Sequence, residues 1–257
     1  MRRLAWRAVV LLIALIGVWE VYVDLGGADP LVLPSPHAVA SALWTGRSIL
    51  WHNFLVTARE VLLGILVAAV TGFALAVAVH FSRTLRAAVY PLLVASQTVP
   101  VPMIAPLLVF WLGFGILPKL VVIALVSFFS IVVTTLDGLA AVDPDLIKLM
   151  RTFDASRLRI FRFVELPAAL PGVFTGAKIA VAIAVIGAVF GEQAGTEAKF
   201  GGLGNLFQLD LPQLATAQEG AIVVILSAFA VGLFMLLTVA ERLALPWAHR
   251  PNGGSVR

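Results

Sequence analysis

Chemistry in this sequence is confined to a few places. The densest is residues 137–171, where Lys148, Arg151, Arg157, Arg159 and Arg162 interrupt an otherwise apolar chain. Five cations in so short a run suit a contact with a partner or with lipid headgroups. A second place is Ser96-Gln97-Thr98, followed by Pro100, Pro102 and Pro106. Polar side chains sit there beside a backbone that proline deprives of hydrogen bonds. They either meet a passing solute or satisfy the backbone groups that the kink frees. Ser127 and Ser130 add hydroxyls in the next apolar run and are further candidates for lining a path. A third place is Glu192-Gln193 at the end of another apolar run, where a buried Glu would be functional and an exposed one merely interfacial. Lys178 stands inside that run and reads as a side chain snorkelling toward the inner surface.

What is missing narrows the chemistry further. His37, His52, His80 and His249 lie in separate segments without a ligand-like spacing, so no metal site is expected, and with no cysteine there is no thiolate ligand or thiol nucleophile. No G-x-x-x-x-G-K-S/T loop occurs, so no nucleotide cofactor is expected on this chain and energy must come from a partner. GGLG at 201–204 is too short for a dinucleotide site and reads as a turn. An intramembrane enzyme would need paired carboxylates or a Ser/His arrangement at membrane depth, and Glu20, Lys178 and Glu192 are too sparse to form one.

The elements that position these residues are membrane spans. Hydrophobic residues make up 61% of the chain and charged ones 12%, about half the charge of a soluble domain. A span needs about 20 mostly apolar residues, which leaves room for six in one domain of 257 residues. The first is Leu4–Val23, longer than a signal core and without an A-x-A-like cleavage site, so it reads as retained. Residues 24–54 form an outer segment, in which Ser35 of the LPSP turn caps a short helix begun by Pro36, with Val39, Ala42, Leu43 and Trp44 on its apolar side. Trp44 and Trp51 suit the interfacial aromatic belt.

Spans two to six are placed at about Leu55–His80, Ala87–Trp111, Lys119–Leu136, Gly172–Gly191 and Gly220–Leu243. Small residues recur every fourth position in the second (Gly64, Ala68, Gly72, Ala76) and in the fifth (Gly172, Gly176, Ala180, Ala184, Ala188), the spacing that lets helices approach closely in lipid. Gly187, Gly191 and Gly195 form another such row. The third span, with its prolines, must be bent or broken. Residues 192–219 suit an outer loop with a short re-entrant or interfacial helix, and residues 246–257 a mobile tail.

Within 137–171, Asp143 followed by Pro144 is a helix start. Leu146, Leu149, Met150 and Phe153 then recur at the spacing of one apolar helical face. Ser156 can cap a second short helix, on which Ile160, Phe161 and Val164 cluster, and Leu166-Pro167 closes it. Charge sets the side. With both termini inside, thirteen of the 18 Lys and Arg residues fall on the cytoplasmic side, four outside and Lys178 within a span, as the positive-inside tendency requires. The basic residues are accounted for in this way without nucleic acid.

This arrangement resembles the permeases of binding-protein-dependent ABC importers. The family's loop pattern runs E-A-A, three residues, G, nine residues, I-x-L-P. Val164-Glu165-Leu166-Pro167 fits the final step, placing the glycine at Asp154 and E-A-A at Lys148-Leu149-Met150, where this chain departs from the pattern. The LPSP turn, the loop and the run AVAIAVIGAVFGE are similar to the nitrate, sulfonate, taurine and pyrimidine-precursor branch, and SQTVPVPMIAPLLVFWLGFG most resembles permeases for a hydroxymethylpyrimidine-type thiamine precursor. The resemblance implies an all-α type I permease of six spans in the cell (inner) membrane, paired with a second identical copy. It implies two cytoplasmic ABC ATPase subunits docked on Asp143, Lys148–Arg151, Phe153, Asp154, Ser156, Arg157, Arg159–Phe161, Val164, Leu166 and Pro167. An extracytoplasmic solute-binding protein would deliver the cargo.

Overall fold

The computed structural model describes residues 2–29, 31–195 and 201–248, and every regular element among them is helical. The first five helices are α1 (Arg2–Asp24), α2 (Pro36–Thr45), α3 (Arg47–Phe81), α4 (Arg83–Ser96) and α5 (Val101–Leu112). Then come α6 (Ile116–Ala140), α7 (Pro144–Thr152), α8 (Arg157–Ile160), α9 (Leu166–Ala194), α10 (Leu203–Asp210) and α11 (Thr216–Ala244). Helix is the only open-ended solution for such runs, because lipid offers the backbone no hydrogen bonds.

Four helical runs, α3, α6, Arg157–Ala194 and α11, are long and apolar enough to cross a membrane, and the α4–α5 pair makes up to a fifth. At 1.5 Å per residue α1 reaches about 35 Å, long enough for the first span that the sequence predicts. The second span is longer than expected, since α3 begins at Arg47 and takes in the last eight residues of the anticipated outer segment.

α6 is the centre of the molecule. Small residues on its neighbours bring them within backbone distance: Gly64, Ala68, Gly72 and Ala76 are all buried on α3, and a methyl group at Gly64 would sit 2.4 Å from Ile123 of α6. On α9 a methyl group at Gly172 would lie 2.5 Å from the Thr134 carbonyl of α6. Without a hydrophobic drive between helices in lipid, this close packing supplies the association energy. Ile123 also joins a core with Val61, Ala184, Leu203 and Ile222, where α3, α6, α9, α10 and α11 converge. A second cluster, Ala76, Val79, Leu93, Val132 and Leu136, joins α3, α4 and α6 at the other end.

Two breaks matter for function. The third span is two helices, α4 and α5, meeting at 102°, with Pro100 extended at the junction. Neither piece, at 14 and 12 residues, reaches the ~20 residues a straight crossing needs. The second break is one the sequence predicts and the structure lacks: the helix does not stop at Leu166-Pro167. Pro167 has no N–H to give to the preceding turn. A π turn over Phe161–Glu165 takes up the misfit, with the Leu166 N–H donating five residues back to the Phe161 carbonyl. The chain from Arg157 to Ala194 is therefore one helical run of 38 residues.

Candidate functional site

The stretch between α6 and α9 builds itself from caps. The Asp143 carboxylate accepts from the Asp145 N–H at 2.8 Å, which starts α7. α7 ends in a Schellman turn: the Asp154 N–H donates to the Arg151 carbonyl and the Ala155 N–H to that of Met150. That turn needs a left-handed residue, and Asp154 takes it with φ 56°. Here lies the physical reason for glycine at this place in the loop pattern: glycine adopts φ > 0 freely, and Asp is among the few other residues that tolerate it. Ser156 then caps α8 by accepting from the Arg159 N–H.

The two helices do not present a single apolar face. Leu146 and Leu149 of α7 and Phe153 at its C-cap are exposed, as are Leu158 and Phe163, whereas Ile160 and Phe161 are buried. Phe161 packs with Leu139 and Ala169 against the partly buried Val77, Phe81 and Leu166. The expected outward face thus loses Ile160 and Phe161, because the π turn rotates them onto α3 and α6. Arg157 also turns inward. It donates to the Phe81 carbonyl at 3.1 Å and lies over the Phe81 ring, closing the C-terminal end of α3, where a cation is favoured. His80 and Glu165 pair beside it at 2.9 Å. Lys148 pairs only with Asp145 in an exposed bridge, worth little.

At the other end of α9 is a cluster of buried ionisable groups. Glu192 is fully buried, which discards the interfacial reading. Its carboxylate accepts from Thr57 Oγ1 at 2.7 Å and from the Gly204 N–H. The Leu203 N–H donates to Thr57 Oγ1, and the Gly202 N–H to Asn53 Oδ1. GGLG is therefore more than a turn: Gly201 and Gly202 take positive φ so that the first N–H groups of α10 point at α3 and α9. A carboxylate at a helix N-terminus is favoured by the free N–H groups and the dipole. Beside it, Lys119 Nζ donates to Glu60 Oε1 at 2.8 Å, both side chains about 4% exposed. Glu60, with Arg59 and His52, lines a cavity of about 440 Å³.

The polar residues around the broken span turn back on their own helix. Ser96 Oγ donates to the Leu93 carbonyl and Thr98 Oγ1 to that of Ala95, so both hydroxyls are turned onto the backbone at the break. Gln97, Pro100 and Pro102 are exposed there. Ser127 is buried and donates to the Ala180 carbonyl, joining α6 to α9 rather than facing a cavity, and Ser130 accepts from Thr134 through its carbonyl. Gln193 is half-buried beside Glu192.

Residues 61–244 match the family described as binding-protein-dependent transport system inner membrane component. The chain belongs to this family. Among its relatives, a probable ABC transporter permease protein of Haemophilus influenzae is 38% identical over 73% of the chain and 76% of its own length. The formylaminopyrimidine transport permease protein of Halalkalibacterium halodurans is 33% identical, over 91% and 92%. The riboflavin transport system permease protein of Chloroflexus aurantiacus is 32% identical, over 96% and 93%. In fold the chain is similar to a subunit of the methionine ABC transporter MetNI solved in an inward-facing conformation, with TM-score 0.65 at 20% identity over 80% of this chain and 99% of that one. The protein is a multi-pass inner-membrane ABC importer permease.

Two further pairs in this permease were hidden by their distance in sequence. Lys178 is not snorkelling: its ammonium pairs with Glu241 of α11 at 2.8 Å, largely buried. His37 of α2 meets Glu20 of α1, with Asp24 close by, so three possible ligand atoms lie within 4.8 Å on the surface. The hydrogen bond and then the charge of Glu20 raise the His37 imidazole above its ordinary 6.5. Glu60, Thr57 and Lys119 escaped the sequence reading. The signal that could have found them is a carboxylate and an ammonium inside apolar runs, where unpaired charge is costly.

Proposed function

We propose that this permease works as one of two identical subunits, resting on two cytoplasmic ABC ATPase subunits that hydrolyse ATP and fed by an extracytoplasmic binding protein. The whole chain forms one membrane domain. It has six spans (α1, α3, the α4–α5 pair, α6, α9 and α11) and both termini in the cytoplasm. The observation that carries the reading is the α7–α8 segment, whose exposed Leu146, Leu149 and Phe153 have no cover among the described residues. Each such side chain, fully buried by a partner, contributes about 1.5–3 kcal/mol. Arg159 orients the contact more than it strengthens it. The path runs by the α4–α5 junction, where Gln97 and the prolines face outward and Ser96 and Thr98 hold the break open.

The cargo is a small planar nitrogen heterocycle, best a hydroxymethylpyrimidine-type thiamine precursor. The near-full-length similarity to a formylaminopyrimidine permease supports this. Riboflavin is the second reading, on nearly equal similarity to a riboflavin permease. Taurine and sulfonate permeases are more distant, at 28% identity. Uptake of labelled hydroxymethylpyrimidine, riboflavin and taurine into proteoliposomes holding the full transporter separates the three. ATP-dependent uptake of taurine alone would sink the heterocycle reading, and no stimulation of ATP hydrolysis by any loaded binding protein would sink the importer.

A further inference from the structure

Between the spans and the coupling segment lies a cavity of about 470 Å³ whose lining includes Arg83, Arg151 and Arg157. We infer that it is a binding site for a phosphate-bearing anion, held by the guanidiniums of Arg83 and Arg151 over a floor that Arg157 completes.

The charge balance is one-sided. Besides the three arginines, the charged or titratable groups of the lining are His80 and Glu165, which pair with each other at 2.9 Å. Glu165 makes no ion pair with any of the three arginines, so the lining holds three guanidiniums against one carboxylate. Arg157 is anchored by the Phe81 carbonyl and ring. The guanidiniums of Arg83 and Arg151 have neither a hydrogen-bond nor an ion-pair partner among the described residues. Two free guanidiniums sharing a cavity repel one another unless an anion joins them, and phosphate oxygens match the guanidinium fork in pairs. Arg83 also opens the 14-residue α4, whose N-terminal dipole favours negative charge.

The cavity is distinct from the docking face. At 100° per residue, Ile147 and Arg151 point about 130–170° away from the middle of the Leu146, Leu149 and Phe153 side of α7. A partner seated on that side leaves the cavity to something else. Its other wall is Phe81 and Arg83, where one span ends and the next begins, the level at which basic pockets meet anionic headgroups. The cytoplasmic placement rests on the orientation proposed above, while the charge and the cavity do not.

The test uses the full chain, delipidated in a neutral detergent, with phosphatidylglycerol, diacylglycerol and inorganic phosphate as probes read by native mass spectrometry and thermal shift. Phosphatidylglycerol should bind in preference to diacylglycerol, and Arg83→Gln and Arg151→Gln should each weaken it about tenfold, with Arg83→Lys keeping part of the binding. Displacement by inorganic phosphate assigns the site to free phosphate compounds, and failure to displace assigns it to a headgroup; either supports the site. Equal binding of phosphatidylglycerol and diacylglycerol, or binding unchanged in both glutamine variants at unchanged melting temperature, overturns it. So does loss of ATPase-subunit co-purification from both variants in lipid-free detergent, which gives the arginines to that partner. None of these readouts involves transport, so the importer reading stands or falls separately.

Discussion

Thr57 and Glu192, 135 residues apart in the chain, share a buried hydrogen bond of 2.7 Å. The threonine hydroxyl passes the connection on by accepting from the Leu203 N–H, so α3, α9 and α10 meet at one oxygen. Thr57→Val keeps the shape but leaves a buried carboxylate oxygen and a backbone N–H unpaired, at about 1–3 kcal/mol each. Glu192→Ala strips the N-terminus of α10 as well and should cost at least as much. In a double-mutant cycle read by melting temperature in detergent, the two losses should be clearly less than additive. Additive losses would show that the two side chains act separately.

Asp154 occupies a left-handed position at φ 56°. Asp154→Gly should therefore stabilise the loop by about 1 kcal/mol, and Asp154→Val should destabilise it by about 1–2 kcal/mol. Melting temperatures of the two variants should move in opposite directions. A loss in both would mean that the Asp carboxylate, and not the turn, is what the position needs.

The outward and inward apolar residues of the coupling segment should separate cleanly. Phe153→Ala and Leu149→Ala should leave the melting temperature of the isolated chain near wild type while weakening co-purification of the ATPase subunit several-fold. Phe161→Ala removes a buried ring and should cost about 3–5 kcal/mol of stability. Charge reversal at Arg159 belongs with the first group. Reversed outcomes for Phe153 and Phe161 would refute the placement of both.

pH should act first at the outer segment. Because the folded His37 value is raised by Glu20, the stabilisation from that pair is complete below about pH 6.5 and disappears as pH climbs through the raised value. Limited proteolysis between α1 and α2 should accelerate across that window in the wild type and be flat in Glu20→Gln.

Asp210 behaves in the opposite chemical sense. Burial, and after it the charge of Glu219, raise its carboxyl above 3.8, and Oδ2 is buried without a partner among the described residues. The charged form is thus disfavoured in the fold, and stability is lost as pH rises from the unfolded value through the folded one. Asp210→Asn should raise the neutral-pH melting temperature, by up to about 1–3 kcal/mol of stability, with the gain vanishing in acid.

Much of this was readable from one sequence because lipid simplifies the rules. Runs of the right length had to be helices, and the Gly64-Ala68-Gly72-Ala76 row had to face a neighbour, which proved to be Ile123 and its helix. Asp143 and Ser156 announced their caps by residue type alone. The π turn was illegible, since Leu166-Pro167 looks the same whether a helix ends there or slips by one residue. That slip is what moved Ile160 and Phe161 from the outer face to the inner one. The Glu60–Lys119 and Lys178–Glu241 pairs were unreadable for a different reason: each depends on which helix faces which, and local spacing carries no such information.

The uninterrupted run from Arg157 to Ala194 joins two distant sites through one helix. At 1.5 Å per residue it is about 57 Å long, with the basic coupling segment at one tip and Glu192 at the other. A push on the basic tip, as the proposed docking requires, is either taken up by compliance in the π turn or delivered as a tilt at the far end, where it strains the bonds to Thr57 and Gly204. On the docking proposed above, the Glu192 cluster becomes the load that the ATPase works against, and the stiffness of the five residues from Phe161 sets how much of each stroke arrives.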